Sequence, residues 1–141
     1  MKRICLILVV LCIAATARAQ VGFSYHHSTI NSAFGISTNP DKGLWGEARI
    51  SASSTAFDIT GMVLVNTIKR EDFNLYTGAG FSSLLFGGGF SFALGFTVKP
   101  IEKKPNIAFF GEWNPLIPTE FDDYISTGSI GIRYFLRKKE K

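Results

Sequence analysis

From residue 20 onward this sequence lacks cysteine and has almost no net charge. Both cysteines, Cys5 and Cys12, lie in the first nineteen residues, so the remaining 122 residues can form neither a disulfide nor a thiolate site. The formal charge of +4 falls to +1 without the three basic residues of that first stretch, because twelve basic residues then face eleven acidic ones. Composition thus excludes disulfide scaffolds and cysteine enzymes, and it gives no indication of nucleic-acid binding.

Long apolar runs are also absent, apart from one at the N-terminus. MKRICLILVVLCIAATARA starts with two basic residues, continues with the apolar run Ile4 to Ala15 and ends in the small-x-small site Ala17-Arg18-Ala19. A spanning helix needs roughly 20 apolar residues, so a membrane anchor fits less well than a signal sequence. The sequence predicts a secretory signal peptide, residues 1–19, cleaved before Gln20, followed by one domain, residues 20–141.

The domain has no sustained helical period, and its five prolines fall in turn sequences or at strand ends. Turn sequences such as Asn39–Gly43, the glycine run Gly87–Gly89 and Pro100–Pro105 divide it into segments with β-type alternation. The predicted strands are 21–28, 32–38, 44–54, 56–68, 73–85, 89–99, 106–116 and 124–136. Most are long enough for a tilted membrane strand of roughly 9 to 11 residues.

FSFALGFTVK, residues 90–99, alternates without a fault between large apolar residues and small or polar ones. The six charged residues inside the predicted strands all share the parity of the small and polar positions. A charge facing lipid at mid-depth costs roughly 2 to 4 kcal/mol, whereas the interior can pair it. The sequence therefore predicts an all-β, eight-stranded antiparallel up-and-down transmembrane β-barrel. Its lipid-facing residues are predicted to include Phe90, Phe92, Leu94, Phe96, Val98, Ile130 and Ile132.

A soluble periplasmic lipid-binding barrel with its phenylalanines inside is the alternative. Its outer surface would then carry residues such as Ser91, Ala93 and Gly95, and too little charge to keep it soluble. The narrow interior of an eight-stranded membrane barrel, by contrast, is well filled by small residues. We therefore expect lipid on the outside.

The charges of inward parity are predicted to form a network in the lumen. Its members are Glu47, Arg49, Lys99, Arg133, Asp58 and Glu112. Buried charges must be paired, and Glu47 with Arg49 or Arg133 is the economical pairing. Their positions along the strands assign these charges to two halves of the lumen. The half nearest the termini is predicted to contain Glu47, Arg49, Lys99 and Arg133, and the other half Asp58, Glu112 and His26. Bulky residues of the same parity, such as Tyr76 and Phe110, favour a plugged lumen over a gated pore.

Aromatic residues near strand ends are predicted to form two belts at the membrane surfaces. Tyr25, Trp113 and Tyr124 are assigned to the end far from the termini, and Phe73 and Tyr134 to the near end. The alternative explanation is the general preference of aromatic residues for strands.

His26 and Ser28 share one face of the first strand and are the candidates for an active site. A serine nucleophile needs a base within hydrogen-bond reach and a third group to orient that base. Asp58 and Glu112 are available acids, but no spacing fixes either near His26. His26 and His27 point to opposite faces, so they are a poor pair of metal ligands. We expect no catalytic, cofactor or metal site, with a lipid-modifying hydrolase as the alternative.

The signal ending ARA-Q, the eight amphipathic strands and the final ISTGSIGIRYFL resemble the small outer-membrane β-barrel proteins typified by OmpX and the OmpA membrane domain. Short single-barrel members from Bacteroidetes-type bacteria are especially similar. The resemblance covers the whole domain and rests on pattern, not on a diagnostic motif. In that family a terminal aromatic residue closes the last strand, whereas here the chain runs from Leu136 into RKKEK.

The resemblance implies a location and a set of partners. It implies the outer membrane of a Gram-negative cell, outer-membrane lipids around the barrel and the barrel assembly machinery during insertion. It further implies a monomer with a structural or envelope role and no enzymatic activity.

Overall fold

The computed structural model describes residues 20–52, 57–84, 87–101, 106–119 and 124–136. The predicted signal peptide, residues 1–19, lies outside the described residues. Within these ranges, no helix is long and apolar enough to cross a membrane.

The described residues form eight β-strands, which follow one another in sequence order. They are β1 (Gly22–Ser28), β2 (Ser32–Ser37), β3 (Leu44–Ala52), β4 (Phe57–Lys69), β5 (Phe73–Leu84), β6 (Gly87–Val98), β7 (Ile107–Pro118) and β8 (Ile125–Phe135). Each strand corresponds to one predicted segment, because alternating side chains suit a wall with one polar and one apolar face. Residues that favour turns, such as asparagine, aspartate, glycine and proline, lie in several of the connections.

The strands close into a barrel in which each pairs with its sequence neighbours and β1 pairs with β8. Every pairing is antiparallel, and in the closing pair Gly22 lies opposite Phe135 and Ser28 opposite Ser129. Closure leaves no sheet edge with unpaired N–H and C=O groups, which a bilayer could not satisfy. The end with the start of β1 and the finish of β8 is called here the terminal end, and the opposite one the loop end.

Two irregularities in the ladders have local causes. β6 and β7 keep one register, but the pairs that would involve Asn114 and Pro115 are missing, since proline has no N–H to donate. β4 and β5 shift register between Asn66 and Ile68, and the Thr67 hydroxyl there donates to a main-chain carbonyl oxygen of β5 at 3.1 Å. The wall stays closed at both places.

The prediction that the glycine run Gly87–Gly89 forms a turn is wrong. These residues begin β6 and pair with Ser82–Leu84 of β5. The Phe81 ring lies against Gly88, where a side chain would collide with it, so glycine lets the strand continue beside a large ring. β7 also runs further than predicted, to Pro118, which pairs with Gly89.

The two faces of the wall are sharply divided. All seven predicted lipid-facing residues are on the outside, with exposures between 36% for Val98 and 68% for Ile130. Inside, an apolar cluster of Trp45, Met62, Leu64, Tyr76 and Ala93 packs together. The alternative barrel with its phenylalanines turned inward is therefore wrong, because Phe90, Phe92 and Phe96 lie outside and the charges lie within.

Candidate functional site

Glu47 on β3 is the hub of a hydrogen-bonded charge network inside the barrel. Its Oε1 atom accepts a hydrogen bond from Arg49 Nε at 2.8 Å and lies 2.8 Å from His26 Nε2, while Oε2 accepts from Arg133 Nη2 at 2.8 Å. The Ser24 hydroxyl also donates to Oε1, at 3.2 Å. The Glu47 side chain is 0% exposed, so these neighbours replace the water that a carboxylate needs.

Arg49 carries the network across the lumen to Glu112. Two parallel hydrogen bonds join them, from Nη1 to Oε1 at 2.5 Å and from Nη2 to Oε2 at 2.9 Å, which is the favoured geometry of a guanidinium with a carboxylate. β3 and β7 are four strands apart in a ring of eight, so the pair connects opposite walls. The Tyr76 hydroxyl and the Asn114 amide also donate to Glu112.

Arg133 on β8 is 0% exposed and lies among aromatic rings. Its guanidinium carbon is 4.7 Å from the ring centroids of both Trp45 and Phe110, and 5.7 Å from that of Tyr76. Aromatic faces attract a cation, and this attraction adds to the ion pair with Glu47. Two arginines face two glutamates in the network, so its four permanent charges cancel, as a low-dielectric interior requires.

Glycines on neighbouring strands provide room for these large groups. Glu47 and Arg49 are two residues apart and so share the inward face of β3. A Cβ atom on Gly35 of β2 would come within 2.8 Å of Glu47 Oε1, and one on Gly95 of β6 would come within 2.5 Å of the Tyr76 hydroxyl oxygen. Both positions need glycine because a side chain approaches the backbone closely.

The other two predicted lumen charges lie apart from the network. Lys99 is near the terminal end, where its Nζ atom is 2.5 Å from Asp41 Oδ1 and 5.8 Å from the centroid of the Phe135 ring. Asp58 is half-buried, and both of its carboxylate oxygens accept from the Ser82 hydroxyl at 2.7 Å.

The predicted division of the lumen charges into two separate halves is wrong for His26 and Glu112. Both contact the Glu47–Arg49 pair directly instead of joining Asp58. Barrel strands are tilted and staggered, so position along a strand does not give depth along the barrel axis. The long side chains of Arg49 and Glu112 also reach across the lumen.

The structure pairs His26 with Ser24 rather than with Ser28. Ser24 Oγ lies 3.0 Å from His26 Nε2, whereas the Ser28 hydroxyl donates to the carbonyl oxygen of Asn31 at 2.9 Å. Ser24 and Glu47 both approach Nε2, although a serine–histidine–acid relay uses the two different ring nitrogens. The geometry makes His26 a member of the buried network and gives neither serine the arrangement of an activated nucleophile.

A cavity of about 200 Å³ occupies the lumen between the network and the loop end. Arg49 and His26 of the network line it at one side. Most of the other residues that line it have polar side chains, among them Ser51, Asp58, Thr60, Ser82, Asn114 and Ser129. In the part of the chain that the structure describes, no three His, Cys, Asp or Glu side chains are grouped to hold a metal ion.

The residues predicted for the aromatic belts are on the outer wall. Tyr25, Trp113, Tyr124 and Tyr134 are 40% to 71% exposed, and Phe73 is half-buried. Trp113 Nε1 donates to Ser126 Oγ at 2.7 Å, and the Tyr25 hydroxyl donates to Ser32 Oγ at 3.2 Å. Register puts Phe73 and Tyr134 near the terminal end, whereas Tyr25 and Trp113 lie near the middle of their strands. Their contact with a membrane surface stays a prediction.

Several side chains of the network were not predicted from the sequence, and Trp45 and Ser24 are two of them. Trp45, 2% exposed, forms part of the aromatic surround of Arg133, and Ser24 bonds to Glu47. Trp45 is two residues from Glu47 on the same strand, so parity alone places it inside. Ser24 is two residues from His26 on β1, so parity places it inside as well.

No protein-family model and no curated protein matches this sequence. Solved structures do match over most of it. The N-terminal β-barrel domain of Pseudomonas aeruginosa OprF has a TM-score of 0.61 at 7% identity, covering 84% of this chain and 96% of that one. A de novo designed transmembrane β-barrel has a TM-score of 0.58 at 16% identity, covering 83% and 93%.

A third match is the Yersinia pestis outer membrane protein Ail, solved in a phospholipid bilayer nanodisc. Its TM-score is 0.51 at 15% identity, and the match covers 84% of this chain and 100% of Ail. At such identities the likeness is one of fold. The chain has the closed, eight-stranded, up-and-down fold of small transmembrane β-barrels.

Proposed function

We propose that this chain is a non-enzymatic outer-membrane β-barrel with a plugged polar lumen and a structural role in the cell envelope. Residues 1–19 direct its export and are removed, and the barrel assembly machinery inserts residues 20–141 as a monomer among outer-membrane lipids. The fold shared with transmembrane barrels supports the location. The signal ending and the pattern of the last strand support a kinship with short barrels of the Bacteroidetes type.

The outer surface supports residence in lipid. Large apolar side chains are exposed on every strand, and examples are Phe34 at 69%, Phe57 at 57% and Ile130 at 68%. A soluble monomer rarely exposes an apolar patch beyond a few hundred Å². In a bilayer the same surface contacts acyl chains and needs no further partner.

The main observation in favour of a plugged lumen is the ion pair of Arg49 and Glu112. Its two hydrogen bonds join opposite walls of the barrel. On the terminal side of this pair, Trp45, Leu64 and Phe110 are at most 3% exposed and fill the interior. An eight-stranded barrel is only wide enough for side chains to fill it. A hydrated ion therefore has no continuous path through the barrel.

A lipid-modifying hydrolase is the competing function, and it has less support. Ser24 and His26 are 5% and 4% exposed, so an ester bond of a lipid outside the wall does not reach them. Ser28 is bonded within its own turn. The buried His26 serves the proposed plug by contacting Glu47.

Conductance across a planar lipid bilayer tests the proposed plug. The wild-type barrel is expected to give no ion-conducting steps in symmetric potassium chloride. The double variant Arg49→Ala with Glu112→Ala removes the cross-lumen pair without changing net charge, and it is expected to leak.

The matched control is the double variant Asp41→Ala with Lys99→Ala, which removes an opposite-charge pair near the terminal end instead. It is expected to stay closed like the wild type. Stepwise conductance of the wild-type barrel equal to that of the Arg49 and Glu112 double variant would contradict the plug.

A further inference from the structure

The cavity at the loop end contains the carboxylate of Asp58, which forms no ion pair with any cation among the described residues. Asp58 accepts hydrogen bonds from the hydroxyls of Ser82 and Thr60, at 2.7 and 3.5 Å. None of the ion pairs among the described residues includes Asp58. Arg49, which also lines the cavity, is already paired with Glu47 and Glu112. Among the described residues, Asp58 therefore brings a negative charge to the cavity without a paired cation.

Two buried polar atoms in the same cavity have no hydrogen-bond partner within the described ranges of the chain. They are Asn114 Oδ1 and Ser129 Oγ. The Asn114 amide nitrogen donates to Glu112, which fixes the amide orientation and leaves Oδ1 as the unused acceptor. Buried polar groups are nearly always paired, so two unpaired ones in a cavity indicate a missing partner.

These groups are placed around one space. Asp58 is on β4 and Ser129 on β8, four strands apart in the ring of eight, so they face each other across the lumen. Asn114 lies on β7, next to β8. Asp58 and Asn114 Oδ1 can only accept hydrogen bonds, and a serine hydroxyl can also accept. A cation with several N–H donors would pair with all of these groups at once.

We infer that this cavity binds a small organic cation with a primary ammonium group. Three N–H donors on one nitrogen match one carboxylate and two further oxygen acceptors. Apolar side chains at the rim of the cavity, Ile30, Leu116 and Ile125, suit a short alkyl chain. The cavity lies inside the wall, so the occupant is a free solute and not the headgroup of a surrounding lipid. This binding goes beyond the proposed envelope role and does not require the lumen to be plugged.

Ethanolamine is a suitable probe, and two related solutes separate the parts of the inference. Ethylene glycol has similar size without charge, and tetramethylammonium has the charge without N–H donors. We would titrate each into the refolded barrel in dodecyl maltoside, which carries no amine, and follow the backbone amide resonances of Thr60, Ser82 and Ser129. Saturable shifts of these amide resonances are expected with ethanolamine and not with the other two solutes. No saturation with ethanolamine, or equal saturation with ethylene glycol or tetramethylammonium, would overturn the inference.

Variants test the assigned residues. Asp58→Asn keeps the size of the side chain and removes its charge, and it is expected to weaken ethanolamine binding at least tenfold. Asp72→Asn removes an exposed acid of the β4–β5 turn and is expected to leave the Kd unchanged. Thr127→Leu fills the cavity from β8 and is expected to abolish binding.

Circular dichroism establishes that each variant has the β-barrel fold. If only one of the two cavity variants folds, its affinity for ethanolamine is sufficient to test the site. Unchanged ethanolamine affinity in folded Asp58→Asn or Thr127→Leu protein would overturn the site. Conductance measured on the same samples reports separately on the plug, so failure of the binding site and failure of the proposed plug are distinguishable.

Discussion

Arg49 and Glu112 lie 63 positions apart in the sequence, yet their side chains form two parallel hydrogen bonds of 2.5 and 2.9 Å from opposite walls of the barrel. Each of the two residues also contacts other members of the network, Arg49 through Glu47 and Glu112 through Tyr76. Strands of the wall are thus connected by side-chain hydrogen bonds across the lumen as well as by main-chain hydrogen bonds to their neighbours. Loss of one member leaves its partners buried without a counter-charge.

Glu47→Ala is expected to destabilise the barrel by about 3 to 5 kcal/mol, because Arg49 and Arg133 each lose a buried carboxylate. Urea unfolding in detergent measures this as a lower midpoint. The control is Asp72→Ala, since Asp72 is an exposed acid outside the lumen. Equal midpoints for the two variants would show that the network contributes little to stability.

Gly95→Ala is expected to destabilise the barrel by about 1 to 3 kcal/mol through overpacking. The added methyl group would come within 2.5 Å of the Tyr76 hydroxyl oxygen and displace it from Glu112. Gly61→Ala is the matched control, because a Cβ atom there meets nothing within 4 Å on the exposed face of β4. Unfolding of both alanine variants at the same urea concentration would contradict a destabilising contact between residue 95 and Tyr76.

The protein should be recovered from the outer-membrane fraction of a Gram-negative host with Gln20 as its first residue. This follows from the predicted cleavage after Ala19 and from the apolar outer wall. The measurement is N-terminal sequencing of the protein, after heat denaturation and gel electrophoresis of the outer-membrane fraction. Recovery in the soluble periplasmic fraction, or with residues 1–19 still attached, would contradict the proposed export and insertion.

The number of strands and the orientation of their faces could be predicted from the sequence, because a period of two is a local property. The alternation in FSFALGFTVK, for example, already separates the exposed Phe92 and Leu94 from the buried Ala93. The same parity places Glu47, Arg49, Glu112 and Arg133 inside. The glycine run at residues 87–89 does not distinguish the two cases, because glycine occurs both in turns and at strand positions that another group approaches closely.

The partners of each lumen charge could not be predicted. They depend on strand tilt and stagger, which are set only when β1 meets β8. His26 and Glu112 were therefore assigned to the wrong part of the lumen, and the aromatic surround of Arg133 was missed. Its rings come from β3, β5 and β7, which no local pattern relates to β8.

The proposed function requires that the apolar face of this barrel meets lipid while the network and its aromatic residues stay inside. The chain has two tryptophans, one on each face: Trp113 is 51% exposed on the outer wall, and Trp45 is 2% exposed in the lumen. Replacing one at a time with phenylalanine gives two proteins with a single fluorophore each. Lipids with brominated acyl chains quench tryptophan fluorescence on contact, so they report which face touches the bilayer.

In bilayers of brominated lipid, Trp113 in the Trp45→Phe protein is expected to lose most of its fluorescence relative to unbrominated lipid. Trp45 in the Trp113→Phe protein is expected to keep nearly all of it. Quenching of Trp45 as strong as that of Trp113, or no quenching of either, would contradict the account.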